Sequence, residues 1–383
     1  MKNSHLIVSM FTGLLLAACS PGSENEMQPK PFVNLDKADV YKGTQSPGDV
    51  WTWALDKEQG HMTATWDYGT FDDMSDDITV QGTFETLPSG FLKVKITKTE
   101  PVSQEIPTDG TAWFYALEIP DMAMIVKPEG SIKGDVIALV AQGECASIPG
   151  TYNYIISAPG DRSEYNPVTS EAFGYLEISN SGAGFSLAGY KFSLDCINGG
   201  NCTSTGPING IPTAKCVGGG EVVISNEGNT VAEGQFTNGG VMMMDFGYGN
   251  GGVFALKASA SATKASLLNN TYAGVAYMPK NNNDRTVPVQ LSFFENDLGN
   301  MIGTGYPFSD IEKAIVSNDE GAIVLVDDVI NGRVLGSMNF DEFGDVSHMA
   351  AALLVNGNKQ ILILSSYDEK SFAPFILILA KQN

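Results

Sequence analysis

Leu92-Lys93-Val94-Lys95-Ile96-Thr97 alternates apolar and polar side chains without a break, and the stretch Tyr115–Ile119 alternates in the same way. Successive side chains of a β-strand point to opposite faces, so a period of two is typical of strands with one buried and one wet face. Turn residues flank these stretches at Pro88-Ser89-Gly90 and at Asp109-Gly110. Strands spaced by about ten residues are typical of a sandwich or barrel. The sequence therefore predicts an all-β protein of tandem antiparallel β-sandwich or small β-barrel domains.

Six Asn-Gly pairs indicate antiparallel hairpins. Both residues tolerate positive φ, which a tight type I′ turn requires. All six lie beyond residue 195, at Asn198-Gly199, Asn209-Gly210, Asn238-Gly239, Asn250-Gly251, Asn331-Gly332 and Asn356-Gly357. This pattern favours hairpins over parallel strands joined by helices. The capping-box sequence Ser309–Glu312 predicts one short helix at most.

An internal repeat is predicted in the C-terminal two-thirds of the chain. Four short matches carry it: Thr151-Tyr152 with Thr271-Tyr272, Gly189–Ser193 with Gly305–Ser309, Gly220–Ile224 with Gly321–Leu325, and Gly234 with Gly336. The number of residues between the two members of a match is smaller after Cys216 than before Cys196, which predicts an extra loop between these cysteines in the first copy. Chance similarity between turn-rich strands is the alternative. Val80–Phe84 is similar to Val231–Phe236, which leaves open whether the first domain is a third copy.

The N-terminus carries an export signal. Lys2 precedes an apolar run from Leu6 to Leu16, and the run ends in Leu16-Ala17-Ala18-Cys19. An apolar run this short is typical of a secretory signal peptide and is too short to span a bilayer. The motif resembles the lipobox of bacterial lipoproteins. An ordinary signal peptide with a chance cysteine is the alternative.

The resemblance to lipoproteins implies where the mature protein is placed. Residues 1–18 would be removed, and Cys19 would become a lipidated N-terminus that carries diacylglycerol and palmitate and attaches the chain to a membrane of the cell envelope. Ser20 follows the cysteine. In enteric-type bacteria, lipoproteins without Asp at that position usually go to the outer membrane, so the outer membrane is favoured over the inner.

The domain organisation follows from composition and periodicity. Residues 20–45 are rich in Pro and Gly and lack apolar periodicity, so residues 19–47 are predicted to be a lipid anchor and flexible tether. Three β domains are predicted to follow at residues 48–144, 145–262 and 263–383. The last two are the repeat copies, joined by the Ala- and Ser-rich run Lys257–Leu268.

The charge balance excludes some partners. The formal net charge is −22 and the pI is about 4.4. Nucleic acid is therefore not an expected partner, because phosphate contacts need Lys and Arg. A glycan, peptidoglycan or a protein remains as the expected partner beside the lipid-anchored membrane.

Four cysteines remain once Cys19 is assigned to lipid, and an even number in an exported chain predicts two disulfides. We favour Cys145–Cys216 with Cys196–Cys202. A bridge between Cys196 and Cys216 across a hairpin is the alternative. None of the spacings is CxxC, so a zinc site is not expected.

No motif in the sequence points to catalysis, a metal or a cofactor. After removal of the signal peptide only His61 and His348 remain, and GxSxG and HExxH are absent. A loop rich in Asp lacks calcium-loop spacing, and a solvated acidic loop is its simpler interpretation. Speculative binding residues are the aromatic and acidic side chains of the first domain, where core packing is the favoured alternative for the tryptophans: Trp51, Trp53, Trp66, Asp72 and Asp73.

These observations predict a lipid-anchored envelope protein with a non-enzymatic binding or structural role. One alternative is an inhibitor of an envelope-attacking enzyme such as lysozyme or a protease, because an acidic protein suits a basic target. A second is a glycoside hydrolase that uses two carboxylates, with Asp72, Asp73 and Glu118 as candidates.

Overall fold

In the computed structural model, the alternating stretch that begins at Leu92 is a strand in the first of three antiparallel eight-stranded barrels. The fold class predicted from the sequence, all-β with small barrels in tandem and a repeat, is confirmed. The structure describes residues 32–45, 49–67, 77–130, 132, 136–157, 173–181, 184–192, 204–207, 214–226, 229–245, 252–278, 285–318, 321–340, 346–367 and 375–382.

Barrel 1 is an up-and-down meander. Its strands are β1 Asp39–Gln45, β2 Val50–Asp56, β3 His61–Asp67, β4 Ile78–Thr86, β5 Leu92–Glu100, β6 Ala112–Ile119, β7 Ala123–Gly130 and β8 Ile137–Ala141. Each pairs with the next, and β8 pairs with β1 to close the barrel. Strand β1 lies inside the predicted tether, so the predicted tether boundary at residue 47 is wrong. A fragment that began at residue 48 would lack a strand that the barrel needs.

Barrels 2 and 3 repeat this topology with one short additional strand each. Barrel 2 consists of β9 Gly150–Ser157, β10 Phe173–Ser181, β11 Gly184–Phe192, β12 Ser204–Pro207, β13 Ala214–Gly218, β14 Glu221–Asn226, β15 Asn229–Phe236, β16 Val241–Asp245 and β17 Gly252–Lys257. Barrel 3 consists of β18 Thr271–Met278, β19 Arg285–Glu295, β20 Met301–Asp310, β21 Ile315–Val316, β22 Ala322–Ile330, β23 Arg333–Phe340, β24 Val346–Asn356, β25 Lys359–Tyr367 and β26 Phe375–Lys381. The short strands β12 and β21 pair with β11 and β20.

Two of the four sequence matches fall on equivalent strands. Thr151 and Thr271 lie on the first strands of their barrels, and Gly189 and Gly305 lie on the third. Gly220–Ile224 instead matches β14, the fifth strand of barrel 2, to β22, the fourth strand of barrel 3. The match of Gly234 to Gly336 is displaced in the same way. A glycine followed by alternating apolar residues occurs on many hairpin strands, so these short matches did not specify which strand they belong to.

Each barrel buries a tyrosine near the start of its first strand. Tyr41, Tyr152 and Tyr272 are each at most 1 % exposed, and burial raises the pKa of all three phenols. In barrels 1 and 3 a glycine follows two residues later. A Cβ at Gly274 would lie 1.9 Å from the Ile378 carbonyl oxygen, and one at Gly43 would lie 2.0 Å from a carbonyl of β8. Glycine therefore lets the first and last strands approach closely at the seam of these barrels.

In barrels 2 and 3, the short segment before the first strand places an apolar side chain in the barrel interior and plugs it. In barrel 2, a 3₁₀ turn at Cys145–Ser147 precedes Ile148, which is buried in the interior, and a disulfide joins Cys145 to Cys216 on β13. The bridge Cys145–Cys216 is one of the two predicted, and it excludes Cys196–Cys216, whereas the predicted Cys196–Cys202 lies outside the described residues. In barrel 3, the helix α1 Lys264–Leu267 places Leu267 in the interior.

The predicted helix at Ser309–Glu312 is wrong. Strand β20 continues to Asp310, whose side chain accepts the Lys313 N–H at 3.1 Å, as a helix cap would. The chain then turns back at Ala314, where φ is +55°, to form β21. The capping group is therefore used in a turn, and the short helix α1 lies instead in the run Lys257–Leu268.

The outer faces of the three barrels meet in a shared apolar junction. Strands β8 and β16 are buried at every position, because one face lines a barrel and the other packs on its neighbours. The junction combines side chains from all three barrels, among them Leu117, Ile125, Val140, Met243, Phe254, Leu256, Leu354, Ile363 and Ile378. Residues Phe32–Asn383 accordingly form one compact unit.

Candidate functional site

The tryptophans proposed as surface binding residues lie inside barrel 1. Trp51, Trp53 and Trp66 are at most 6 % exposed. The rings of Trp51 and Trp66 stack with centroids 5.1 Å apart, and Trp53 packs edge-on against Phe114 at 5.2 Å. These contacts correct the surface assignment and agree with core packing.

The remaining predicted site residues give no assembled site. Asp72, Asp73, Cys19, Cys196 and Cys202 lie outside the described residues. Glu118 is described. Its carboxylate accepts a hydrogen bond from the Tyr41 hydroxyl and pairs with Lys57 Nζ at 2.8 Å. Glu118 is thus engaged by groups of barrel 1 itself.

A buried ion cluster joins barrels 1 and 2. Lys42 on β1 pairs with Glu233 Oε2 at 3.0 Å and also with Glu221, and all three side chains are less than a fifth exposed. Burial lowers the pKa of Lys42, but the two carboxylates outweigh it and hold that pKa above its usual value. Lys42, Glu221 and Glu233 therefore hold barrels 1 and 2 together, because removal of one partner would leave a buried charge uncompensated.

Two buried carboxylates lie beside this cluster. Asp245 on β16 accepts hydrogen bonds from the Thr44 hydroxyl at 2.6 Å and from the Asp49 backbone N–H at 3.0 Å. The Asp49 carboxylate accepts from the Gln45 amide at 2.9 Å and from the Trp66 indole at 3.3 Å. These bonds tie the β1–β2 connection of barrel 1 to barrel 2, so they hold the barrels together.

A cavity of about 40 Å³ lies at the junction, lined mainly by apolar side chains such as Val136, Ile155 and Ile363. Pockets for small organic ligands have volumes of about 300 Å³ or more, so this one is a packing gap. Within the described ranges, no group of three or more His, Cys, Asp or Glu side chains is arranged to hold a metal ion. In the same part of the chain, no helix is long and apolar enough to cross a membrane.

An exposed apolar surface covers the outside of barrel 3, away from the junction. Phe294 on β19 pairs with Ile302 on β20, and Ile302 pairs with Leu325 on β22. Ile323 lies two residues before Leu325 on the same face. Phe294, Ile323 and Leu325 are 36–40 % exposed, and Ile302 is half-buried. Adjacent strands lie about 4.8 Å apart, so these side chains form one continuous surface.

A stiff turn extends this surface. Leu298, 83 % exposed, lies in the connection between β19 and β20. The Asn296 side chain accepts the backbone N–H groups of Leu298 at 3.1 Å and of Asn300 at 2.9 Å, and Gly299 takes a φ of +78°. The turn therefore holds Leu298 in solvent in a fixed backbone conformation. We call Phe294, Leu298, Ile302, Ile323 and Leu325 the barrel 3 wall.

Carboxylates border the barrel 3 wall. Glu295 and Asp297 flank Asn296 in the turn, and Asp327 and Asp328 follow Leu325 on β22, all of them exposed. We call these four carboxylates the acidic rim. Strands β20 and β22 contain no Lys or Arg, and β19 contains Arg285 alone, at its opposite end. Arg333 on the neighbouring strand β23 offsets the charge of Asp328, and Glu295, Asp297 and Asp327 give the barrel 3 wall a negative local field.

The barrel 2 counterpart of Phe294 is a polar residue. Leu176 and Ile178 on β10 occupy the inward positions that Leu291 and Phe293 occupy on β19, since Leu176 and Leu291 pair with the first-strand tyrosines. Ser179 is then the counterpart of Phe294, and it is exposed.

Sequence reasoning missed the barrel 3 wall. Residues Ala322–Val326 are apolar without a break, and such a run is typical of a strand buried on both faces. Only the structure shows that one face of this run is in solvent. The sequence contained one signal of the exposed surface, which was Leu298, an apolar residue inside the polar turn Asn296–Asn300.

Comparisons with known proteins give faint similarities. No protein-family model matches the chain, and no curated protein matches it. Among solved structures, the chain is similar to a transferrin-binding protein B double mutant from Haemophilus parasuis Hp5, with 10 % identity, 90 % of this chain and 76 % of that chain covered, and a TM-score of 0.27. It is also similar to isotype 1 transferrin-binding protein B from serogroup B Neisseria meningitidis, with 10 % identity, 88 % and 66 % covered, and a TM-score of 0.27.

A third similar structure is a protein of unknown function from the DUF3598 family of Nostoc punctiforme. Its identity is 9 %, 90 % of this chain and 94 % of that chain are covered, and the TM-score is 0.23.

Proposed function

We propose that this chain is a lipid-anchored cell-envelope protein with a non-enzymatic binding role, and that the barrel 3 wall is its binding surface. The observation that carries the proposal is the exposure of Phe294, Leu298, Ile323 and Leu325 at outward positions. Contiguous exposed apolar side chains with a polar border are typical of interaction sites. The barrel fold does not require apolar residues there, since Ser179 occupies the counterpart of Phe294 in barrel 2.

The N-terminal sequence supports the envelope location. The stretch Leu16-Ala17-Ala18-Cys19 resembles a lipobox, and Ser20 favours the outer membrane. Replacing Cys19 by Ser removes the thiol that would carry the lipid. Cell fractionation should then show the Cys19→Ser protein shifted from the membrane to the soluble fraction, and an unchanged membrane fraction would contradict the anchor.

The arrangement of charged groups supports binding over catalysis. Glu118, the described candidate for a carboxylate-based hydrolase, is engaged by Tyr41 and Lys57. Four of the five residues of the barrel 3 wall are aliphatic, which suits a protein partner, because sugar rings are usually held on aromatic platforms with several polar partners.

The binding role is tested by affinity capture in the source cells. The full chain, captured after mild in-cell cross-linking, should recover at least one envelope protein that a Phe294→Ser/Leu325→Thr variant recovers at least tenfold less. A Ser179→Asp variant in barrel 2 is the matched control and should recover it fully. If no protein's recovery depends on the barrel 3 wall, the proposed function is wrong.

A further inference from the structure

We infer that the occupant of the barrel 3 wall is a cationic protein surface, which places apolar side chains on the wall and Lys or Arg side chains against the acidic rim. This inference rests on the proposed function and names the chemistry of its partner. The wall and the rim are parts of one surface. Leu298 lies next to Asp297 in the turn, and Leu325 precedes Asp327 by two residues on β22.

Three carboxylates of the acidic rim, Glu295, Asp297 and Asp327, are available to a partner. Several other acidic side chains already have a cationic partner. Glu312 pairs with Lys93, Asp310 pairs with Lys313, and Asp121 pairs with Lys359. By contrast, none of the ion pairs found among the described residues involves Glu295, Asp297 or Asp327. Asp328 interacts with the charge of Arg333 on β23 and accepts the Val329 N–H at 2.8 Å. Three exposed carboxylates around an apolar surface attract a partner of opposite charge and orient it before contact.

Other occupants fit this surface less well. A second copy of the chain would bring another acidic rim and a net charge of −22 against the first, and like charges in an interface are unfavourable. A bilayer surface with anionic lipids would be repelled in the same way. A cationic protein avoids both penalties, because its charges neutralise the rim while its apolar side chains cover the wall.

Site-specific photo-cross-linking in the source cells tests the inference. The full chain carries p-benzoylphenylalanine at position 298 in the wall or, as the matched control, at position 179 in barrel 2. Adducts are identified by mass spectrometry. We expect an adduct at position 298 with a protein of net positive charge, and no such adduct at position 179.

The captured protein is then purified and its affinity for full-chain variants is measured at low and high salt. Neutralisation of the rim by Glu295→Gln or Asp327→Asn should weaken binding about two- to fivefold each at low salt, and less at high salt. Leu298→Ser should weaken it about tenfold at both salt concentrations. Glu177→Gln, which removes an exposed carboxylate from β10 of barrel 2, should leave the affinity unchanged.

The outcomes separate the two proposals. A neutral or acidic protein captured at position 298, or a cationic one whose affinity ignores the rim, would overturn the cationic partner and leave the binding role intact. An adduct with lipid or with a second copy of the chain would also overturn the inference. Absence of any adduct at position 298 would overturn both.

Discussion

Barrels 2 and 3 share one topology and one inward pattern but differ on the surface that faces solvent. Leu176 and Ile178 fill barrel 2 from the same positions from which Leu291 and Phe293 fill barrel 3. On the outward side, Ser179 in barrel 2 corresponds to Phe294 in barrel 3. The inward positions are fixed by packing, whereas the outward ones are free to vary. Ser179 shows that the repeated fold does not require an apolar residue at the outward position of Phe294.

The two barrels also differ in how they are held shut. Barrel 2 fixes its plug by the disulfide Cys145–Cys216, whereas barrel 3 uses the helix α1. At the seam, Tyr154 faces Ala255 in barrel 2, and Gly274 faces Leu379 in barrel 3. A large residue thus faces a small one in both barrels. The large residue is on the first strand in barrel 2 and on the last strand in barrel 3. These differences allow the repeats to be perturbed one at a time.

The largest expected effect is loss of the disulfide in barrel 2. Cys145 and Cys216 are 71 residues apart in sequence, and the loop-closure entropy of such a link corresponds to about 4 kcal/mol of stability. A Cys145→Ser/Cys216→Ser variant should lower the free energy of unfolding by up to about that amount. Urea denaturation followed by circular dichroism measures it. Proteolysis should show new cleavage in barrel 2 before barrel 3, and a loss below about 1 kcal/mol would contradict the role of the plug.

The seam of barrel 3 should be next in sensitivity. Gly274→Ala places a Cβ against the Ile378 carbonyl and should cost about 3 kcal/mol. Gly305→Ala is the matched control in the same barrel. Its Cβ would meet a side-chain methyl of Leu291 at 3.3 Å, so the cost should stay below about 1 kcal/mol. Equal melting temperatures for the two variants would show that the strands at the seam can separate without penalty.

The sequence predicted the inward pattern of the strands well. Leu92, Val94 and Ile96 all point into barrel 1, and Asn331-Gly332 forms the expected hairpin turn with φ of +51° and +78°. Local chemistry determines both features, because side-chain alternation and tolerance of positive φ act within a few residues.

The sequence did not predict features that depend on distant partners. Strand β1 was assigned to the tether because residues 20–45 are rich in Pro and Gly and lack apolar periodicity, but its pairing with β8, nearly 100 residues away, gives it a place in the barrel. The junction was missed for the same reason. A continuous apolar strand such as Val241–Asp245 does not reveal which barrel will cover its second face. The continuous apolar run Ala322–Val326 shows the opposite outcome. Its inner face is buried in barrel 3, and its outer face, with Ile323 and Leu325, is exposed.

Alkaline pH should affect the two barrels alike. Burial raises the pKa of Tyr152 and of Tyr272 above the value of about 10 in an unfolded chain. The folded protein therefore keeps these protons when the unfolded chain loses them. Stability should be independent of these groups below pH 10 and should fall above it by at most about 1.4 kcal/mol per pH unit for each tyrosine.

Melting curves between pH 8 and 11, with tyrosinate absorbance recorded in parallel, test this prediction. Tyr152→Phe and Tyr272→Phe should each make the decline above pH 10 less steep by the same amount. If tyrosinate from either residue forms at pH 10 in the folded protein, the phenol is accessible to solvent and its raised pKa is wrong.

The smallest expected change in stability is at Leu325 on the barrel 3 wall. Leu325 and Val324 are neighbours on β22 with opposite surroundings, since Leu325 is 40 % exposed and Val324 is completely buried. Leu325→Thr should change the free energy of unfolding by less than about 1 kcal/mol, because little apolar area returns to water and Thr suits a strand. Val324→Thr should cost about 2 kcal/mol, because it buries a hydroxyl without a partner.

Denaturation of the two variants under one set of conditions compares their losses in the free energy of unfolding directly. If Leu325→Thr were as destabilising as Val324→Thr, the barrel 3 wall would be part of the structural core and its apolar character would need no partner to explain it. A stable Leu325→Thr protein that loses its envelope partner would show that Leu325 serves binding. The difference between Ser179 and Phe294 would then mark where one copy of a repeated fold acquired a role that the other lacks.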